Sequence, residues 1–152
     1  MNYDKQNRWI VALGVVILLL INGCMTSGSG SHPPSDAELR DSLFEREWGV
    51  RVLQIRLSAE GYMLDFRYRV LDAGKAAPLF SREVKPYLID EISGAMFLVP
   101  EPPKVGALRT TRPPQAGKNY FILFANPGQY IKKGSKVTVI IGDFRAEHLV
   151  VE

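Results

Sequence analysis

The chain has one cysteine, Cys24, and two histidines, His32 and His148. A thiolate, an imidazole base or a soft metal site would be built from these side chains, so their scarcity bounds the chemistry. A copper electron-transfer site needs two imidazoles and a thiolate with a weak thioether. Beyond residue 35 there is only His148, with Met63 and Met96. Methionines in strands ordinarily fill core gaps, so neither a metal nor another cofactor is expected. A nucleophile must share a base and an orienting group, and no Gly-x-Ser-x-Gly elbow is present to present a serine. Asp90 and Glu91 are adjacent. Neighbours on a strand point to opposite faces, which keeps the two from converging on one glycosidic bond. No glycine loop follows a strand into a helix to cradle phosphate. The residues therefore read as those of a protein that binds and does not catalyse.

Recognition has two sets of candidates. Arg56, Arg67 and Arg69 occupy alternate positions in neighbouring strand-like runs, where they would share one exposed face and meet lipid phosphates or an acidic partner. Arg109 and Arg112 lie in a proline-rich stretch from Pro100 to Pro114, and long loops of this kind are often functional. The overall charge is +3 across 152 residues. Without residues 1–23, which carry Lys5, Arg8 and Asp4, 17 basic side chains face 15 acidic ones, a net +2. A nucleic-acid binder concentrates far more positive charge than this, so no nucleic-acid partner is expected.

The elements that must position these residues follow from the hydrophobic period. Ser35 and Glu38 have the capping-box spacing, and Leu39, Leu43, Phe44 and Trp48 recur at helical intervals before Gly49. This predicts a short amphipathic helix over 36–48. From Val50 the period drops to two. Leu53, Ile55 and Leu57, then Leu64, Phe66, Tyr68 and Val70, alternate with polar residues around Ala59-Glu60-Gly61. Pairing Ile55 with Leu64 and Leu53 with Phe66 places every apolar side chain on one face, leaving Gln54, Arg56, Asp65, Arg67 and Arg69 toward water. A second hairpin is predicted from residues 85–90 and 95–99. Asn119–Ala125 is apolar on both faces and reads as a central strand. Lys136–Ile141 and Phe144–Val151 close the set, and the prolines between 100 and 114 exclude a strand there.

The amino terminus has its own pattern. Lys5 and Arg8 precede thirteen apolar or glycine residues, Trp9–Ile21. That run suits a signal-peptide core and falls short of the ~20 residues a membrane span requires. Ile21, Gly23 and Cys24 then resemble the lipobox of bacterial lipoproteins, with Asn22 departing from the small residue usual at its position. The resemblance covers residues 1–24. It implies cleavage between Gly23 and Cys24, a diacylglyceryl group on the Cys24 thiol, and a mature protein held on the membrane through that lipid. Two or three acyl chains hold a protein stably, at about 0.8 kcal/mol per buried methylene. Met25 in place of an aspartate suggests, by the same resemblance, the outer membrane, with the domain in the periplasm or at the cell exterior. The alternative is an uncleaved signal anchor. Residues 24–35, rich in Gly and Ser, then form a flexible tether whose last ten residues, Thr26–Ser35, span roughly 16–19 Å; His32 lies within it.

The expected architecture is therefore all-β. Residues 49–152 form an immunoglobulin-like β-sandwich of about seven strands, preceded by signal peptide (1–23), tether (24–35) and short helix (36–48). A small open barrel is the alternative. The segment from Trp48 to Glu152 also resembles domains of bacterial exported proteins of unassigned function, through VKPYLID at 84–90 and FANPG at 124–128. Together these readings make the chain a non-catalytic, lipid-anchored accessory module of the cell envelope that docks on another envelope protein. A small-ligand or glycan binder using residues 100–118 is the alternative.

Overall fold

The computed structural model describes residues 35–152; the expected signal peptide, its cleavage site at Gly23 and Cys24, and the tether with His32 lie outside them. The first described element is helix α1 (Asp36–Trp48). Its capping box forms as the spacing predicts: Ser35 Oγ accepts from the Glu38 amide, and the Glu38 carboxylate accepts from the Ser35 amide. The Ser35 amide and hydroxyl, both donating to that carboxylate, hold the Glu38 carboxyl below its ordinary range. Gly49 ends the helix at φ +62°, a left-handed conformation glycine adopts without strain. No helix among the described residues is long and apolar enough to cross a membrane.

Seven strands follow: β1 (Val50–Ser58), β2 (Met63–Val70), β3 (Tyr87–Asp90), β4 (Met96–Leu98), β5 (Asn119–Ala125), β6 (Lys136–Ile141) and β7 (Phe144–Val150). They form two antiparallel sheets, ordered β1-β2-β5 and β4-β3-β6-β7. This is an immunoglobulin-like sandwich and not a barrel. Relative to the constant-type arrangement, the fourth strand pairs with the third instead of the fifth. The core between the sheets is aromatic and aliphatic, with Phe66, Phe124, Phe144, Leu64, Leu88 and Ile122 all enclosed.

Four expectations are corrected. First, the β1–β2 register is shifted by two: Ile55 faces Phe66, and Leu57 faces Leu64. A β-bulge between Val52 and Gln54 pushes Leu53 out of the ladder. Val50 and Val52 before it, and Ile55 and Leu57 after it, thus face the core together, while Leu53 is 44% exposed. Second, β5 is an edge strand and not a central one. The proline-rich segment covers its free edge: the Leu123 amide donates to the Leu108 carbonyl, and Arg109 bridges to Ile122. Third, residues 49–152, expected as strands joined by loops, also hold a short helix. Helix α2 (Ala73–Ala76) is capped by Asp72 and runs into a 3-10 turn at Ala77–Phe80. Fourth, Asp65 does not face water; it is 3% exposed.

Each open side of the sandwich has a cover. Helix α1 lies where the β1 edge approaches β7: Phe44 and Trp48 pack on Phe144 at 5.3 and 5.9 Å between ring centroids, and Arg40 donates to the Glu147 carbonyl. On the opposite side the chain from β4 to β5 crosses over the gap. The FANPG segment also proves architectural. Asn126 is fully buried, donating to the carbonyls of Gly61 and Ile131 and accepting from the Ile131 amide, so it ties two loops together.

Candidate functional site

Strand register builds the first candidate surface. On the outer face of the three-stranded sheet, cross-strand neighbours form three rows: Arg51, Arg69 and Asn119; Gln54, Arg67 and Phe121; Arg56, Asp65 and Leu123. Like charges directly opposite destabilise a sheet. The Arg51–Arg69 pair is relieved on both sides, since Arg51 Nε donates to Glu45 and Arg69 Nε donates to Asn119 Oδ1. That bond from Arg51 to Glu45 also raises the affinity of Arg51 for its proton.

The third row has a sharper geometry. Arg56 Nη2 and Arg67 Nε reach the same oxygen, Asp65 Oδ2, at 3.2 and 2.9 Å. Asp65 Oδ1 is enclosed and has no hydrogen-bond partner among the described residues. The carboxylate is buried while both guanidinium side chains stay nearly half exposed, at 46% and 45%. Their remaining N–H groups are thus presented outward by a fixed internal anion. Arg56, Arg67 and Arg69 share a face as the alternation requires. Arg51 joins them because the bulge reverses the phase of β1.

The second candidate is concave. A cleft of ≈ 600 Å³ opens at one end of the four-stranded sheet, between residues 82–86, 98–101 and 107–111. Val84, Pro86, Leu98 and Val99 give it apolar walls, and Arg82, Lys85, Arg109 and Glu101 are its charged groups. Arg109 is not an exposed contact residue, as its loop position suggested. It is partly buried, and its guanidinium donates to the carbonyls of Leu79 and Ser81, which pins the crossover to the opposite wall. Burial lowers the Arg109 pKa, partly offset by the nearby Tyr68 and Glu101. Burial likewise pushes the Tyr68 hydroxyl well above its usual range. Arg112 lies in an adjoining hollow of ≈ 420 Å³ with Thr110 and Thr111. The two arginine sets are therefore separate sites. Arg82, Lys85 and Leu98 carried no sequence signal, because only the fold brings their segments together.

A third cluster is local. The Glu91 carboxylate accepts from the Thr138 hydroxyl and the His148 amide, and it meets His148 Nδ1 at 2.9 Å. His148 sits at φ +58° in the irregular stretch of β7. Burial pushes the Glu91 carboxyl up, but the bonds from His148 and Thr138 outweigh it and hold the group below its ordinary range. Asp90, next door, caps its own turn through Ser93, confirming that the two acids diverge. Among the described residues no three His, Cys, Asp or Glu side chains gather as a metal site would require. The fold class is that of an immunoglobulin-like sandwich with one charged face and one end cleft. No family model, curated protein or solved structure matches the chain.

Proposed function

We propose that the chain is a lipid-anchored, extracytoplasmic module of the bacterial cell envelope that docks, without catalysis, on an acidic surface of another envelope protein. One observation carries the docking reading: Arg51, Arg56, Arg67 and Arg69 share one sheet face, and the sole carboxylate within that grid is buried beneath two of them. Guanidinium groups held by an internal anion keep their outward donors for bidentate recognition of carboxylates. The lipid anchor rests on the lipobox-like residues Ile21, Gly23 and Cys24.

Cross-linking in native membranes followed by co-purification tests the docking. The wild type should recover a partner that Arg69→Glu, which leaves the Asp65 cluster intact, largely loses; recovery of monomer alone from the wild type overturns the reading. Mass spectrometry of the mature amino terminus tests the anchor. A diacylated residue 24 is expected, and an intact Met1 with an unmodified Cys24 overturns it. A second reading, small-ligand binding, is favoured by the end cleft, whose volume and mixed lining suit a small molecule.

A further inference from the structure

The charge balance of the end cleft identifies the kind of molecule it suits. Three cations line it, Arg82, Lys85 and Arg109, against one carboxylate, Glu101. That carboxylate is already engaged by Lys85 Nζ at 2.7 Å. Arg82 and Arg109 have no carboxylate partner among the described residues. Arg109 matters more, because it is partly withdrawn from water, its hydrogen bonds go to backbone carbonyls, and Glu101 offsets its burial only in part. A cation so placed gains most from an added anion, since desolvation strengthens the attraction. The adjoining hollow shares Ala107, Arg109 and Thr111 with the cleft and adds Arg112 and Thr110, with no acid among its lining.

The rest of the cleft is apolar. Leu98 is 59% exposed and stands with Val84, Pro86 and Val99 as a wall that water gains little from wetting. An inorganic anion would leave this wall unused, and a neutral apolar molecule would leave the arginines uncompensated. A sugar would satisfy neither as well as a molecule carrying both parts. We propose that the end cleft binds an amphipathic organic anion, with an alkyl or aryl body against Val84, Leu98 and Val99 and a carboxylate or phosphate head at Arg109 and Arg82. This specifies the ligand of the small-molecule reading and is independent of docking through the arginine face.

The described core residues all lie between Val50 and Val151, so a fragment of residues 34–152 contains its whole core and the helix that covers it. Isothermal titration of that fragment with decanoate, decyl phosphate, decyltrimethylammonium and inorganic phosphate tests the proposal. One saturable site for decanoate or decyl phosphate is expected, and whichever binds tighter identifies the head. Decyltrimethylammonium should bind about tenfold or more weakly, and inorganic phosphate should not saturate. Arg82→Glu and Leu98→Asp, both at exposed positions, should each weaken the tighter ligand about tenfold with an unchanged urea midpoint, whereas Arg69→Glu on the sheet face should change it less than about twofold. Equal binding of the cationic and anionic chains, an Arg69→Glu effect as large as that of Arg82→Glu, or no saturable binding of either anion overturns the proposal. None of those results bears on recovery of a protein partner, which reads the other face.

Discussion

At the scale of single residues, the Asp65 cluster is asymmetric. Its carboxylate is buried, and its two guanidinium partners are nearly half exposed. Removing the acid leaves two arginines that water can solvate, so Asp65→Ala should cost about 1–2 kcal/mol after allowance for that exposure. Removing both arginines strands a buried charge, and Arg56→Ala/Arg67→Ala should cost about 3 kcal/mol or more. Urea unfolding of the two variants checks the order. The Glu91 cluster makes a prediction about acid. Its carboxyl is held below the ordinary glutamate range of about 4.5 in the folded protein. The stability it contributes is therefore full above that value and lost as the pH falls through the lower folded one. The stability gap between wild type and Glu91→Gln should be largest at neutral pH and close below about pH 4.5, as unfolding across a pH series would reveal. Neither cluster was legible in the sequence. Alternation places Asp65 outward, and its burial with two arginines on one carboxylate oxygen is set by the register across strands; Glu91 and His148 are 57 residues apart.

At the scale of elements, the capping box of α1 and the full extent of β6 were legible because each is written in adjacent residues. The β1–β2 register was not. A shift of two keeps every side chain on its face, so the pattern cannot distinguish the two pairings. The deciding features are the tight loop from Ala59 to Tyr62, with Ala59 and Glu60 at φ +48° and +54°, and the bulge at Leu53. The phase slip was nonetheless visible, since Val50 and Val52 alternate out of step with Ile55 and Leu57. Deleting Leu53 should therefore restore simple alternation and leave the fold intact, with stability within about 1 kcal/mol by urea unfolding. Deleting Arg67 from the regular β2 should abolish cooperative unfolding, because one half of the central strand would present its other face. Gly49 marks a second constraint. A Cβ there would lie 2.7 Å from Asp72 Cβ and 2.8 Å from the Asp72 carbonyl oxygen, at a left-handed φ. Gly49→Ala should lower stability by about 1–3 kcal/mol, seen as a fall in Tm.

At the scale of the whole molecule, sandwich architecture was legible from strand count and spacing. The end cleft was not, since it joins segments up to 29 residues apart that share no pattern. The aromatic contact between α1 and β7 carries a consequence for how the protein is assembled. Phe44 packs on Phe144, one hundred positions later in the chain. Sheet pairing is also non-local, over roughly half that separation: β2 must wait for β5 and β3 for β6. Such non-local topologies fold on millisecond to second timescales because loop closure precedes the rewarding contacts. The helix is the earliest described element to be synthesised, yet its docking surface is complete only when β7 arrives. Until then its apolar stripe stays uncovered beside an unfinished sandwich. The interval between synthesis of residue 44 and residue 144 is when this chain is most open to aggregation, and to any chaperone that recognises an exposed helix.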